Sequence, residues 1–370
     1  MTYNFKIIKP IDWNELTDFF KRNWISEYHY KGGVYDWSVE YTKCTISQFL
    51  WDEDLLYGMF EGDKLIGLIS GSHEKLVLNL ESQAITLKGV AMGYQTIDMS
   101  YRKKGLFNKL LKAYADHVKE LGYDLITSFP VKRWEDVLKK HGFSIIHKDP
   151  QFYVKFMGKE GVDKIREIRG LNKALAMLAK ALAGIPQDRI PYGKIIDGSS
   201  SDAERIVELL NSYQATLVLS QLYDVSDFKQ YLELSKEFFD SLDDPLKFRI
   251  KIWESDDNEI LAVMIYIIQN ITFTNGKSPV HFVEFLAFSD KITDKNDKKA
   301  FYAEIYSEIP KSIPVSIDSQ PYNDLKARKS GKYDNDRDAR KLLVKPLTEN
   351  GKKMLSIKKL KEFSLMNIDQ

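Results

Sequence analysis

Residues 95–129 constrain the fold most, because their pattern changes from strand to helix and back to strand within one short stretch. A strand near Ile97 is followed by a basic loop. From Phe107 onward, apolar residues recur every three or four positions. This spacing predicts an amphipathic helix with one buried face that ends at Gly122. An apolar strand follows and stops before Pro130, so the chain is predicted to have a mixed α/β fold.

The loop before this helix, residues 100–109 with the sequence SYRKKGLFNK, carries the main chemical signal. A helix leaves its first backbone amides without partners inside the helix. Gly105 lets an anion approach those amides, and the helix dipole adds partial positive charge. Arg102, Lys103 and Lys104 add full positive charges. On these residues alone, the loop is either an anion-binding site or a solvated basic turn.

The wider pattern resembles the GNAT superfamily of acyl-coenzyme A dependent N-acyltransferases. The likeness rests on the spacing Arg102-x-x-Gly105-x-Phe107, on the helix and strand after it, and on the ending LKKHGF at residues 138–143. It covers about residues 3–157 and implies an α/β (α+β) fold, with a mixed, mostly antiparallel sheet flanked by helices.

The same resemblance implies how coenzyme A would bind. The amides of residues 103–108 would hold its pyrophosphate. The strand end at residues 97–99 would pair with the pantetheine arm and present an amide to the thioester oxygen. The cofactor-binding residues implied in this way are Ile97, Met99, Arg102, Lys103, Lys104, Gly105, Leu106, Phe107 and Asn108.

Two positions depart from the pattern of the superfamily. Many members carry a tyrosine four residues before the Gly-Phe pair, where it can protonate the leaving thiolate, and Leu138 stands there in this chain. Members often carry an asparagine after the strand that corresponds to residues 123–129, and the chain reads FPVKRW at that point. Because a thiol has an ordinary pKa of about 8.5, its thiolate leaves without a dedicated acid, and direct transfer to an amine is still expected.

Asp98 and Glu284 are the candidate proton acceptors for such a transfer. Asp98 lies just before the loop, where a carboxylate can deprotonate an ammonium group or, instead, cap the turn and pair with Arg102. Glu284 interrupts an apolar strand, HFVEFLAF, so its carboxylate is either turned to solvent or held in a cleft for use. The sequence leaves both alternatives open for each residue.

The aromatic segment of residues 24–41 is the candidate wall for the acceptor substrate. Such side chains stack on a sugar or a base, although aromatic residues at these spacings also build cores. The candidate substrate-binding residues are Tyr28, His29, Tyr30, Asp36 and Trp37. The histidines are scattered without partners at metal-ligand spacing, so no metal site is predicted.

The order of elements in residues 1–158 is repeated in residues 199–347, which predicts two GNAT-like domains. Residues 159–198 are predicted to form a connecting helix and a linker, and residues 348–370 a helical tail. The second copy lacks the glycine of the phosphate loop, so one coenzyme A per chain is expected. The second copy would then bind the acceptor or brace the first.

Composition narrows the classes of function. With 54 Lys plus Arg against 53 Asp plus Glu, the net charge of +1 gives no field that would hold nucleic acid or an anionic membrane. No apolar run approaches the roughly 20 residues that cross a bilayer. The single cysteine, Cys44, suits a reducing compartment. We therefore expect a cytoplasmic protein, either a monomer or a homodimer.

These observations predict an enzyme that moves an acyl group from acyl-CoA to a primary amine. The preferred acceptor is an amino sugar carried by a nucleotide, because tandem GNAT-like chains of this size resemble amino-sugar N-acyltransferases. The first alternative is another small amine or a protein amine. The second is a module that binds coenzyme A, or serves as a scaffold, without catalysis.

Overall fold

The computed structural model has two large β-sheets, each with helices packed on both faces. In addition to single positions between 173 and 183, the structure describes residues 2–25, 34–35, 37–49, 52–80, 83–130, 132–147, 153–169, 188–215, 217–243, 245–273, 275–310, 312–318, 331–332, 341–356 and 363–364.

The first half of the chain follows the order expected from its periodicity. Its elements are β1 (Asn4–Ile7), α1 (Trp13–Phe20), β2 (Val34–Tyr35), α2 (Val39–Phe49), β3 (Tyr57–Glu61), β4 (Lys64–Leu80), β5 (Gln83–Ile97), α3 (Leu106–Glu120), β6 (Leu125–Ser128), α4 (Lys132–Lys140), β7 (Ser144–His147), β8 (Tyr153–Phe156) and α5 (Lys159–Arg169).

The second half repeats this order. Its elements are β9 (Lys194–Asp197), α6 (Ala203–Ala215), β10 (Leu219–Leu222), α7 (Val225–Asp240), β11 (Lys247–Glu254), β12 (Ile260–Phe273), β13 (Gly276–Phe288), α8 (Lys295–Glu308), β14 (Val315–Asp318), β15 (Gly331–Lys332), β16 (Leu342–Pro346), α9 (Glu349–Lys352) and β17 (Phe363–Ser364). The helix predicted at residues 322–328 lies outside the described residues.

Local sequence signals explain the helix ends near the loop. Asp12 caps α1, because its carboxylate accepts from the amides of Asn14 and Glu15 at 2.9 and 3.0 Å. Helix α3 buries Leu110 and Tyr114 completely, as the spacing of three or four residues predicts. Gly122 follows its end with φ +79°, a left-handed conformation that glycine adopts without strain.

The strand order shows that the two halves exchange strands. The first sheet runs β1-β3-β4-β5-β6-β16-β7, and the second runs β15-β8-β14-β13-β12-β11-β9. Strand β16, from the end of the chain, therefore lies between β6 and β7, while β8 from the first half lies in the second sheet. Two short strands also cross over: β10 pairs with β4, and β2 pairs with β12.

This exchange changes the domain picture drawn from the sequence. A division into residues 1–158 and 199–347 assigns β8 to the first copy and β16 to the second, but hydrogen bonding places each in the other sheet. Strand β9 also begins within the segment predicted as linker, at Lys194. The mixed, mostly antiparallel character of both sheets is confirmed. Among the described residues, no helix combines the length and the apolar character needed to cross a bilayer.

Candidate functional site

The first sheet opens where β5 and β6 run side by side. These parallel strands pair only at Gly89, Val90 and Ala91, with residues 125–127 as partners. Strand β5 then continues to Ile97, whereas β6 ends at Ser128. We call this opening, between β5 residues 92–97 and the end of β6, the fork.

A bulge in β5 sits beside the fork. Leu68 of β4 pairs with Thr96 and Ser70 pairs with Gly93, so Tyr94 and Gln95 together oppose one residue. Tyr94 has φ +50°, which marks the distorted position. The Gln95 amide group donates to the Ser128 hydroxyl at 3.3 Å, so it spans the fork.

The backbone amides at the end of β5 have different directions. The Asp98 amide donates to the Ile66 carbonyl at 2.9 Å, and the Met99 amide donates to the Asn23 side chain at 2.8 Å. Since successive residues of a strand direct their amides to opposite sides, that of Ile97 is directed away from β4. The Ile97 carbonyl, on the same side, accepts from Arg102 Nε at 2.9 Å. Within residues 97–99, Ile97 is thus the residue that offers an amide to the fork.

Asp98 is held as a structural cap. Its carboxylate accepts from the amide and the hydroxyl of Ser100 at 3.1 and 2.6 Å, and from Arg22 Nε at 3.0 Å. Burial alone would raise the pKa of Asp98, but these hydrogen bonds outweigh it and hold the pKa below its ordinary value of 3.8. The ion pair forms with Arg22, not with Arg102. A carboxylate with this many donors is poorly suited to accept a proton.

The basic loop ends in a helix that begins without a side-chain cap. Gly105, with φ +70°, is the N-cap residue of α3. Glycine has no side chain that could accept hydrogen bonds from the first-turn amides. Lys103 also has positive φ, +63°. Leu106 is buried and anchors the first turn, while Lys103, Lys104 and Gly105 are exposed. Exposed amide donors at a helix N-terminus, next to two lysines, form an anion-binding arrangement.

Phe107 and Asn108 continue this turn toward α4. The ring of Phe107 packs at 4.9 Å from that of Trp134, and the Asn108 side chain lies 3.1 Å from a ring nitrogen of His141. Leu138, at the position where relatives carry a tyrosine, is completely buried in the core beneath α3 and α4. The structure therefore offers no hydroxyl at that position for protonating a thiolate.

The corresponding helix of the second half, α8, has a side-chain cap at its N-terminus. The carboxylate of Asp294 caps α8 and accepts from the amide of Asn296 at 2.8 Å. An N-terminus that already holds a carboxylate does not favour a second anion. The N-terminus of α8 therefore differs from that of α3, which has no side-chain cap.

Glu284 lies in a strand of the second sheet, whereas Asp98 directly follows β5 of the first. It is the extra residue of a bulge in β13, and its carboxylate accepts from the Tyr231 hydroxyl of α7. Burial raises the pKa of Glu284 to about 7, and the tyrosine hydrogen bond partly opposes this. The side chain is thus half-buried and bonded to Tyr231, and it is not fully solvated. Asp98 bonds to Ser100 and Arg22 and Glu284 bonds to Tyr231, so the two predicted carboxylates have different partners.

The predicted acceptor wall falls largely on residues that the structure does not describe. Tyr28, His29, Tyr30 and Asp36 lie outside the described residues. Trp37 is 2% exposed and stacks on Phe20 at 4.5 Å between ring centroids. Trp37 is therefore part of the core, as one of the two sequence-based alternatives predicted.

Sequence reasoning missed several residues that shape this region. Asn23 and Arg22 position the end of β5, and Gln95 with Ser128 spans the fork. Glu74 was also missed: it is completely buried, accepts from Thr127 at 2.8 Å and has a pKa raised by burial to about 8. Its position at the same strand parity as Leu68 and Leu76 is the sequence signal that could have identified it.

Two sheets with this strand order, a bulged central strand and a helix beginning just beyond it define the fold of GNAT-type N-acyltransferases, here in tandem. Solved structures share the fold. Saccharomyces cerevisiae N-myristoyltransferase with bound myristoyl-CoA matches 94% of this chain and 79% of its own at a TM-score of 0.67 and 14% identity. A GCN5-related N-acetyltransferase from Anabaena variabilis ATCC 29413 matches 94% of this chain and 73% of its own at 0.55 and 8% identity. No protein-family model and no curated protein sequence matches the chain.

Proposed function

We propose that this chain is an acyl-CoA dependent N-acyltransferase that transfers the acyl group to a primary amine by direct attack. One observation carries the proposal: the uncapped N-terminus of α3 lies next to the fork in the first sheet. The equivalent helix of the second half is capped by Asp294. The shared fold with an N-myristoyltransferase crystallised with myristoyl-CoA supports acyl-CoA as the co-substrate.

The residues of the loop fit a diphosphate. Apart from the chain neighbours of Gly105, no atom of the described residues lies within 4 Å of the place where a side chain at this position would begin, so the first-turn amides can be reached from solvent. The exposed lysines at 103 and 104 add charge without blocking that approach. We propose residues 102–108 as the diphosphate site and Ile97 as the strand contact for the pantetheine arm. The backbone amide of Met99 is already bound to Asn23.

The chemistry needs few side chains. The bound thioester supplies an activated acyl carbonyl, and a backbone amide directed into the fork stabilises the oxyanion that forms during attack by the amine. Holding donor and acceptor in one site removes much of the entropic cost of their encounter. A thiolate with an ordinary pKa of about 8.5 leaves without the missing tyrosine and takes up the second amine proton.

The acceptor is proposed only as a primary amine. An amino sugar linked to a nucleotide stays a hypothesis, because four of the five residues predicted to bind it lie outside the described residues and Trp37 is part of the core. Another small amine or a protein amine is equally compatible with the fork. The cytoplasm stays the expected location. The preferred length of the acyl chain can be measured with acyl-CoA donors of different size.

Calorimetric titration with coenzyme A tests the diphosphate site. Gly105→Glu places a carboxylate at the first turn and should weaken binding by roughly 100-fold, since like charges in contact cost several kcal/mol. Gly122→Glu is a matched control at the other end of α3, also left-handed, exposed and free of neighbours. It should leave the affinity within about threefold of wild type. A wild type that ignores coenzyme A, or two variants that bind alike, would overturn the proposal.

Turnover separates the candidate activities. Acetyl-CoA and myristoyl-CoA are each incubated with a nucleotide-linked amino sugar, spermidine and a peptide with an N-terminal glycine, and thiol release is followed. Release with one acceptor class identifies the substrate. Tight binding of coenzyme A without release by any of them supports a module without catalysis.

A further inference from the structure

A row of buried polar side chains crosses the apolar face of β4 beneath the fork. Ser70, Ser72 and Glu74 alternate along the strand at the same parity as Leu68 and Leu76, and they are 0%, 4% and 0% exposed. We call these three residues the polar row. Apolar clusters lie on both sides of it, one containing Leu68 and the other Leu76.

Two members of the polar row have atoms without partners among the described residues. These atoms are the Ser70 hydroxyl and the Glu74 Oε1 oxygen. The other oxygen of Glu74 accepts from the Thr127 hydroxyl at 2.8 Å. A buried polar atom without a partner costs about 1–3 kcal/mol, so two on one row are not expected of a simple core.

The row lies where an acceptor would meet the donor. Thr127 of β6 pairs with Ala91 of β5, and this is the last parallel pair before the fork. Glu74 is close to the same part of β5, because a side-chain carbon added at Gly89 would lie 3.4 Å from Glu74 Oε2. Helix α3, with the proposed coenzyme A site, packs on one face of the sheet, and the polar row belongs to the opposite face. The polar row therefore approaches the fork from the face opposite the proposed coenzyme A site, and Glu74 contacts the β6 arm through Thr127.

We propose that the polar row binds the acceptor amine and that the Glu74 carboxylate removes its proton, an inference that rests on the proposed N-acyltransferase activity. In its ionised form, which predominates above about pH 8, Glu74 accepts one proton from an ammonium group R–NH3⁺, and the neutral nitrogen attacks the thioester carbon. The C–N bond forms, the C–S bond breaks, and the thiolate receives the second proton from nitrogen. The products are the amide, free coenzyme A thiol and one proton that Glu74 returns to water.

The test uses the full chain, acyl-CoA as donor and glycinamide as a small primary amine. Glu74→Gln keeps the shape and the contact with Thr127 but cannot take a proton, so kcat should fall by roughly 100-fold or more. Ser70→Ala should raise KM for glycinamide and leave kcat unchanged. Affinity for coenzyme A should stay within twofold in both. Glu135→Gln is the matched control, because Glu135 is also a buried carboxylate with one unpartnered oxygen, on α4.

A chemical-rescue experiment separates a proton acceptor from a structural residue. Glu74→Ala leaves room beside Gly89, and added formate should restore part of its rate while leaving Glu135→Gln unaffected. A Glu74→Gln variant that keeps the wild-type kcat overturns the inference and leaves the activity intact. A wild type that binds coenzyme A but never releases thiol also overturns it, whereas one that binds no coenzyme A refutes the proposed function itself.

Discussion

Replacing Glu74 by Gln should change how the stability of the protein depends on pH. The Glu74 carboxyl is completely buried, and burial raises its pKa from the ordinary value of 4.5 to about 8. Between these values the unfolded chain has lost its proton and the folded chain has kept it, so stability falls as pH rises. The slope is about 1.4 kcal/mol per pH unit, or about 3 kcal/mol between pH 5 and pH 7.5.

Urea denaturation of wild type and Glu74→Gln at several pH values measures this effect. Because the glutamine does not titrate, the free energy of unfolding of wild type minus that of the variant should fall by about 3 kcal/mol over that range. Glu284 and the other titrating groups are common to both proteins and cancel in the difference. A difference that stays constant with pH would mean that Glu74 is solvated and ionised in the folded chain, and the burial argument would be wrong.

Three further predictions concern the end of β5 and the start of α8. Asp98→Asn should lower the free energy of unfolding by about 1.5–3 kcal/mol at pH 7. Since the pKa of Asp98 is lowered, its contribution is present above pH 3.8 and lost as pH falls through the folded value, so denaturation at pH 3 should show a smaller difference. Asn23→Ala leaves the Met99 amide without its acceptor and should cost about 1–3 kcal/mol in thermal unfolding, with weaker binding of coenzyme A in calorimetry. Asp294→Ala should cost about 1 kcal/mol by uncapping α8 while calorimetry still finds one coenzyme A per chain; a second bound molecule would contradict the assignment of a single site.

Local signals predicted the elements around the candidate site well. Helix α3 and its end at Gly122 follow from the spacing of apolar residues and from one glycine, both of which act over a few positions. The open N-terminus of α3 was predicted for the same reason. The cap formed by Asp98 was one of two alternatives, and its partner Arg22 could not be predicted because it lies 76 positions away in the chain.

Long-range pairing explains what the sequence did not reveal. Strands β8 and β16 have ordinary strand patterns that would suit either sheet, and only three-dimensional packing decides which sheet each one joins. The burial of Glu74 has the same origin. The segment SGSHEK reads as an exposed polar strand, and its burial depends on elements distant in the chain, such as β10, which pairs with residues 75–78 of the same strand.

The position of β16 places a strand from the second half of the chain next to the proposed site in the first sheet. One arm of the fork is β6, and the neighbour on its far side is β16, whose Val344 pairs with Thr127 and Leu343 with Ser128. A polypeptide cut after residue 158 would lose that support and leave the arm as a bare edge. The second half of the chain therefore supports the proposed site mechanically, and substitutions in β16 that weaken its pairing with β6 should loosen that arm of the fork.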